Sequence, residues 1–165
     1  FLGNGRRWHF GGDKLARVAM SAFCRGDGGF GGENRPGPAP AALPDRAPDH
    51  VCDIETLPRQ ALVYRLSGDM NPLHADPDVA RSVGFDRPIL HGLATYGLAA
   101  RAILKSLLDY DAARLVGLDV RFSAPVYPGE TVRFEIWEEG GEARFRASIP
   151  ARDVVVLNNG AARFA

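Results

Sequence analysis

The sequence predicts an α+β domain in which an antiparallel sheet wraps around one long central helix. Three observations support this prediction: a 16-residue segment rich in Ala and Leu lies near the middle of the chain, β-rich runs follow it, and turn strings separate those runs. A sheet with one apolar face and an apolar helix bury both surfaces most economically by packing on each other.

The helical elements lie before the β-rich runs. A helix is predicted over residues 57–66, where apolar side chains recur on one side. Asp76 as the cap and Pro77 at the first helical position predict a short helix that stops at Gly84. The segment 93–108 is apolar nearly all round, so we expect it to be the buried central helix.

From Leu115 onward the sequence has the period of two that is typical of strands. The runs LVGLDVRFSAP, ETVRFEIWEE, EARFRASIPA and DVVVLNNGAARF are separated by turn strings such as VYPGE and EGGE. In the second run Val132, Phe134 and Ile136 fall on one face, and the residues that alternate with them, up to Trp137, fall on the other. We therefore expect an antiparallel meander with one apolar face.

The chain divides into three predicted segments. Residues 26–50 contain six Gly and five Pro between Gly26 and Pro48, a composition typical of a linker or surface loop. Residues 1–25 are too short for a domain, and the stretch LARVAMSAF within them is apolar enough for one strand. Residues 51–165 then form the main domain.

Composition limits the classes of function. The 165 residues, 17.8 kDa, are enough for one domain with a core. Twenty Lys+Arg balance twenty Asp+Glu, which argues against nucleic acid as the main partner. No apolar run approaches the roughly 18 to 20 residues of a membrane span, so no membrane partner is expected. Cys24 and Cys52 provide neither a disulfide scaffold nor a CxxC site, and a cytoplasmic location is the expectation.

The residue types that carry chemistry are concentrated in a mostly irregular stretch between Tyr64 and Gly92. They are Asp69, Asn71, His74, Asp76 and His91. An Asp and a His five residues apart in a Pro-containing loop can direct both side chains at one point. A carboxylate acceptor and an imidazole that titrates near neutrality are the minimum for general acid–base catalysis.

The pair His91-Gly92 lies where the central helix is predicted to begin. An amide in the first turn of a helix has no intrahelical partner and lies at the positive end of the helix dipole. It would stabilise a substrate oxygen that gains negative charge. Glycine at position 92 also lets a ligand approach the backbone closely.

Each of these residues also has an ordinary structural interpretation. Asp69 and Asn71 are common turn formers, a lone His74 is often a hydrogen-bonded structural histidine, and His91 can be a helix-start residue bonded to backbone. The spacing of Asp69, His74, Asp76 and His91 fits no common metal-ligand pattern, so no metal site is predicted. The glycines at 28, 29, 31 and 32 lack a following GK[ST], and Ser67 is not in GxSxG.

The string YRLSGDMNPLHADP, followed by GFDRPILHGL, resembles the hydratase 2 motif of the MaoC-like (R)-specific enoyl-CoA hydratases. The later string GLDVRFSAPVYPGETVRFEIWEEG is similar to the strand region of the same family. The resemblance implies a hot-dog fold for residues 51–165. Upstream, FCRGDGGFGG and PDRAPD resemble the junction between the two hot-dog halves of the peroxisomal-type members, so residues 1–25 would be the remnant of a first half and 26–50 the linker.

The resemblance also implies roles for individual residues. Asp69 and His74 match the catalytic pair, and Asn71, Gly92 and Phe122 match substrate-binding positions. His91, at the predicted start of the helix, is expected to be a further substrate-binding residue. The implied reaction is reversible syn addition of water to a trans-2-enoyl-CoA, giving a (3R)-3-hydroxyacyl-CoA. It needs no metal or redox cofactor, because the thioester already activates the double bond.

Two other functions stay open on the sequence. A dehydratase acting on acyl carrier protein would use the same residues with a protein partner, and a non-catalytic hot-dog module would only bind acyl chains.

A single hot-dog sheet leaves an edge strand, and family members pair two units. We therefore expect a homodimer or pairing with another hot-dog half.

Overall fold

The computed structural model describes residues 2–10, 12–22, 26, 29–31 and 42–165. The chain forms two compact units, Phe1–Ala39 and Pro40–Ala165. In the smaller unit, β1 (Leu2–Phe10) pairs antiparallel with β2 (Asp13–Ala22), with a register shift between Trp8 and His9. The prediction of one strand here was incomplete, because pairing of the main chain forms β1 from a run of Gly, Asn and Arg that has no strand pattern.

The larger unit is the predicted α+β domain. Its strands are β3 (His50–Glu55), β4 (Leu115–Phe122), β5 (Thr131–Glu139), β6 (Glu142–Ile149) and β7 (Val154–Phe164). Its helices are α1 (Gln60–Tyr64), α2 (Pro77–Ser82) and α3 (Gly92–Leu107). The strands form one antiparallel sheet in the order β3-β5-β6-β7-β4.

The sheet departs from the predicted meander at both edges. Strands β5, β6 and β7 do follow one another, and Gly140 and Gly141, with φ of +52° and +90°, form the tight β5–β6 turn. However, β4 pairs with β7 rather than with the next strand in sequence, and β3 forms the opposite edge. Strand β3 was not predicted because Asp53 and Glu55 interrupt its apolar character, although Cys52 and Ile54 are buried in alternation.

The helix α3 packs on β3, β4 and β5. The face that meets the sheet is built largely of small residues, with Ala99 and Ala102 fully buried beside Ile103. The expectation of a buried central helix is met on the face toward the sheet, whereas on the opposite face Leu93 is 63% exposed and Arg101 is exposed. The sheet covers one side of the helix only.

The predicted linker region 26–50 ends in a segment that is bonded to the sheet. The amide of Asp49 donates to the carbonyl of Ile136, and the Trp137 indole donates to the carbonyl of Arg46 at 2.8 Å. Trp137 was expected on the outer face, yet it is only 3% exposed because residue 46 and the Arg146 guanidinium, 5.8 Å from its ring, cover it.

The helix bounds differ from expectation mainly at α1, which has five residues and continues as the 3₁₀ turn Arg65–Ser67. The second predicted helix is confirmed: the carboxylate of Asp76 accepts the amides of Asp78 and Val79, and Gly84 adopts a φ of +92° just beyond the helix. These two short helices frame the loop that carries the candidate site.

Candidate active site

The loop between α1 and α2 is held by a series of short local bonds. Gly68, with a φ of +114°, ends the turn Arg65–Ser67 and turns the chain sharply before Asp69. The side-chain oxygen of Asn71 accepts the amide of Leu73 at 3.0 Å and caps the 3₁₀ turn Pro72–His74. This loop therefore has a defined conformation that brings positions 69 and 74 together.

Asp69 and His74 converge as the sequence predicts. A carboxylate oxygen of Asp69, a ring nitrogen of His74 and a ring nitrogen of His91 all lie within 4.8 Å of one another. Asp69 is exposed and its Oδ1 accepts the amide of Asn71 at 3.2 Å, whereas His74 is only 8% exposed. One carboxylate open to solvent thus faces one imidazole that is set into the protein.

The hydrogen bond of His74 defines its tautomer. Its Nδ1 lies 2.8 Å from the main-chain carbonyl oxygen of Ile89. A carbonyl can only accept, so Nδ1 carries the proton and donates. In the neutral ring, Nε2 is then unprotonated and can accept a proton from a bound water.

His91 lies behind this pair and is 1% exposed. Its Nε2–H donates to the main-chain carbonyl of Asp69 at 3.1 Å, and its ring stacks on that of His74 with 3.7 Å between centroids and 25° between planes. The ring of Tyr64 packs on it at 4.7 Å. Burial, followed by the nearby charges of His74 and Arg65, lowers the pKa of His91, which favours the neutral ring.

Gly92 is the first residue of α3, as the helix-start pattern predicts, and His91 precedes it at the cap position without a side-chain cap bond. Gly92 borders a cavity of about 310 Å³, whose other lining residues include Ile89, Thr95 and Phe122. The Phe122 ring would lie 3.5 Å from a Cβ at position 92. A second cavity of about 250 Å³ is lined by His74.

The same three polar residues were weighed as metal ligands. Two stacked imidazoles have their lone pairs in roughly parallel planes, so they do not point at one shared ion. One nitrogen of each ring donates to a carbonyl, which leaves Nε2 of His74 and Nδ1 of His91 unprotonated in the neutral rings. Asp76, the fourth candidate, uses its carboxylate to cap α2. The absence of a metal site stays a prediction.

Comparison with known proteins identifies the family. The family model described as the MaoC like domain matches residues 40–159, which is most of the chain and nearly all of the larger unit. The chain belongs to the MaoC-like domain family. The resemblance seen in the sequence is confirmed, and the five-stranded antiparallel sheet with its helix is the hot-dog fold of this family.

The relatives of this MaoC-like chain include proteins named as a hydratase and as a dehydratase. It is 47% identical over 140 residues to the enoyl-CoA hydratase ChsH3 of Mycobacterium tuberculosis, covering 85% of this chain and 49% of that protein. It is 45% identical over 159 residues to the 3-hydroxyacyl-thioester dehydratase Y of the same organism, covering 93% and 55%. The MaoC-like chain therefore spans about half the length of these curated relatives.

A solved structure gives the same result. The crystal structure of a MaoC-like dehydratase from Phytophthora capsici superposes with a TM-score of 0.93 at 41% identity, covering 99% of this chain and 56% of that one. The MaoC-like fold described above is thus shared with a solved structure.

Sequence reasoning named the side chains that the MaoC-like site brings together and missed the backbone groups that orient them. Asp69, His74 and His91 come together, Asn71 caps the turn that carries His74, and Gly92 and Phe122 line the first cavity. The carbonyl of Ile89 was missed, since any residue type supplies a carbonyl. The packing of Tyr64 on His91 was also missed, although Tyr64 opens the motif string.

Proposed function

We propose that this chain carries the catalytic site of an (R)-specific trans-2-enoyl-CoA hydratase, a hydro-lyase that also catalyses the reverse dehydration. The observation that carries the proposal is the convergence of the Asp69 carboxylate with the ring of His74, whose Nδ1 is committed to Ile89. Two proton acceptors that face each other across a few ångströms are suited to holding one water between them.

The water would be held through both of its O–H bonds, one directed at Asp69 and one at Nε2 of His74. Its oxygen lone pairs then point away from both acceptors and toward C3 of the substrate. One acceptor takes a proton from the water as its hydroxyl adds to C3, and that same proton is then delivered to C2, so one water is added across the double bond. Both residues lie on one side of the substrate in this scheme, which accounts for syn addition.

The developing charge on the thioester oxygen would be stabilised by the amide of Gly92. That amide opens a 16-residue helix, so the positive end of the helix dipole adds to its hydrogen bond. The adjoining cavity of about 310 Å³ has mainly apolar walls, including Ile89, Phe122 and Val126, which suit an acyl chain. We assign Asn71 to holding the loop while the substrate is bound.

The names of two relatives, an enoyl-CoA hydratase and a 3-hydroxyacyl-thioester dehydratase, describe the two directions of this reaction and support the proposal. We propose that the reaction proceeds without a metal or redox group, because conjugation to the thioester already polarises the double bond. In the part of the chain that the structure describes, no helix is long and apolar enough to cross a membrane. A cytoplasmic location stays a prediction.

We also propose that the larger unit pairs with another hot-dog unit, from a second copy or from a longer chain. The sheet has two edge strands, β3 and β4, and exposed edges are usually covered. Large apolar side chains are also exposed close to the site in sequence: Leu66, Met70 and Leu93. Exposed apolar side chains of this size beside a site support an interaction surface there.

The test of the catalytic proposal follows the absorbance of the enoyl-thioester band. Purified protein is mixed with crotonyl-CoA and then with trans-2-decenoyl-CoA, with and without a chelator, and the configuration of the product is determined. We expect the band to disappear with formation of the (3R) product, and the chelator to have no effect. A folded protein that converts neither substrate would favour a non-catalytic acyl-binding module.

The variants Asp69→Asn and His74→Gln test the assigned pair. Loss of a positioned acid or base should lower kcat about 10²- to 10⁴-fold while the fold is kept, since both residues lie in a loop. His50→Gln and Asp86→Asn, at positions outside the loop, are the matched controls and should retain activity. Near wild-type turnover in either site variant would show that the pair is wrongly assigned.

A further inference from the structure

His91 is a buried polar residue that the proposed mechanism does not use. Its Nδ1 has no hydrogen-bond partner within the residues that the structure describes, although the side chain is 1% exposed. An unpaired buried nitrogen destabilises a fold relative to an apolar ring of the same shape. Stability alone therefore does not account for a histidine at this position.

The contacts of His91 connect the two members of the catalytic pair. Its Nε2–H donates to the carbonyl of Asp69, the residue that bears the carboxylate, and its ring covers one face of the His74 imidazole. The donor fixes the main chain of an exposed residue, and the stack restricts rotation of the ring of His74. Both contacts are made to protein groups, and at 1% exposure the side chain differs from the expectation that His91 binds substrate directly.

The surroundings of His91 keep it neutral. The titratable and charged groups that face it are Asp69, His74 and Arg65, and the ring of Tyr64 packs on it. Its Nε2 must carry a proton to donate to a carbonyl, so a second proton would have to lie on the buried, unpartnered Nδ1. There it would be a buried cation beside His74 and Arg65, and although Asp69 favours the charged ring, burial outweighs it and the pKa of His91 is lowered.

We propose that His91 is a positioning residue, which as a neutral Nε2–H tautomer holds Asp69 through its carbonyl and His74 through ring stacking. The inference rests on the proposed function for its kinetic consequence, but the tautomer and the contacts can be tested without activity. Under this proposal Asp69 and His74 transfer protons, and His91 fixes the distance between them.

Two variants of His91 test its hydrogen bond and its ring stacking separately. His91→Phe keeps an aromatic ring against His74 and removes the donor, and His91→Gln keeps an N–H at the same reach and removes the ring. We expect His91→Phe to lower kcat about 10- to 100-fold, the size of effect that misplacement of a catalytic group produces, with KM changed less than about threefold. Its thermal midpoint should change little, since loss of the hydrogen bond to the Asp69 carbonyl is offset by replacing an unpaired buried nitrogen with carbon.

Comparison of kcat in the two variants shows whether the hydrogen bond or the ring stacking of His91 contributes more. His91→Gln should recover at least part of kcat relative to His91→Phe, because the bond to the Asp69 carbonyl is restored. A His91→Phe variant with kcat near wild type would overturn the proposal. A fall in kcat accompanied by an equally large loss of thermal stability would also overturn it, since that pattern indicates a purely structural residue.

The tautomers are read directly from imidazole ¹⁵N spectra of the wild-type protein. The chain has four histidines, so assignment by single His→Gln variants is feasible. We expect His91 to be neutral and protonated on Nε2 throughout the pH range above the ordinary histidine pKa of about 6.5, because burial lowers its own pKa, and His74 to be protonated on Nδ1 when neutral. A cationic His91 in this range would refute the positioning role even if the protein is an active hydratase. If the protein proves inactive, the same spectra still decide the geometry.

Discussion

The amide of Gly92 can be removed with little change elsewhere by the substitution Gly92→Pro. Proline is favoured at the first position of a helix, where its missing N–H has no intrahelical acceptor. The preceding residue, His91, has φ −56° and ψ 137°, the extended conformation that a residue before proline adopts. The change therefore deletes one donor at the proposed oxyanion site and leaves α3 able to form.

The size of the effect follows from the position of this donor. The amides of Ala94 and Thr95 are already bonded to the carbonyl of His91, at 3.1 and 3.2 Å, so they cannot replace the lost donor without breaking the first turn. Removal of one oxyanion donor raises the barrier by about 2.7–4 kcal/mol, or about 10²- to 10³-fold in kcat. We expect Gly92→Pro to fall in this range, with a thermal midpoint close to wild type.

The matched control is Gly92→Ala, which keeps the amide. Its Cβ would lie 3.5 Å from the ring of Phe122, an ordinary van der Waals contact, so it should retain most of the activity. Both variants are assayed for kcat and KM on crotonyl-CoA beside thermal unfolding. If Gly92→Pro retains kcat within about threefold of Gly92→Ala, the amide of Gly92 does not stabilise the thioester oxygen and this part of the mechanism is wrong.

Two further predictions concern stability. Gly160→Ala would place a Cβ 2.6 Å from both the carbonyl oxygen and the ring of Phe145 on the paired strand, so we expect a loss of about 1–3 kcal/mol in the free energy of unfolding by urea denaturation; an unchanged midpoint would show that β6 and β7 are not so closely packed. Asp76→Ala removes the cap of α2 and should cost about 0.5–2 kcal/mol by the same measurement, whereas Asp78→Ala, which leaves that cap in place, should cost less.

The parts of the fold that were predictable are those in which one face of an element dominates. The alternation of Val132, Phe134 and Ile136 corresponds to three fully buried side chains on β5. Strand β3 was missed because its alternating exposed positions carry Val51 as well as acids, so no clean pattern remains. The partner of β4 depends on a chain crossing, which local sequence does not encode.

The candidate site was likewise predictable in its residue types and unpredictable in its orientation. The residue types at 69 and 74 already indicated acid–base chemistry, and the structure brings them within reach of each other. The orientation of each imidazole depends on a carbonyl, that of Ile89 for His74 and that of Asp69 for His91. Carbonyls are common to all residues, so their use becomes visible only when the chain is folded.

The small residues on the buried face of α3 have a consequence for mutational tolerance. Gly92 is the first residue of this helix, whereas the proposed acid–base pair lies in the separate preceding loop. The distance between the Gly92 amide and this pair therefore depends on how closely the helix approaches the sheet. Ala99 and Ala102 set that approach. We expect a larger side chain at either position to displace the helix and to move the Gly92 amide relative to Asp69 and His74. In the proposed mechanism, the packing of these two alanines in the core therefore affects the turnover rate at the site.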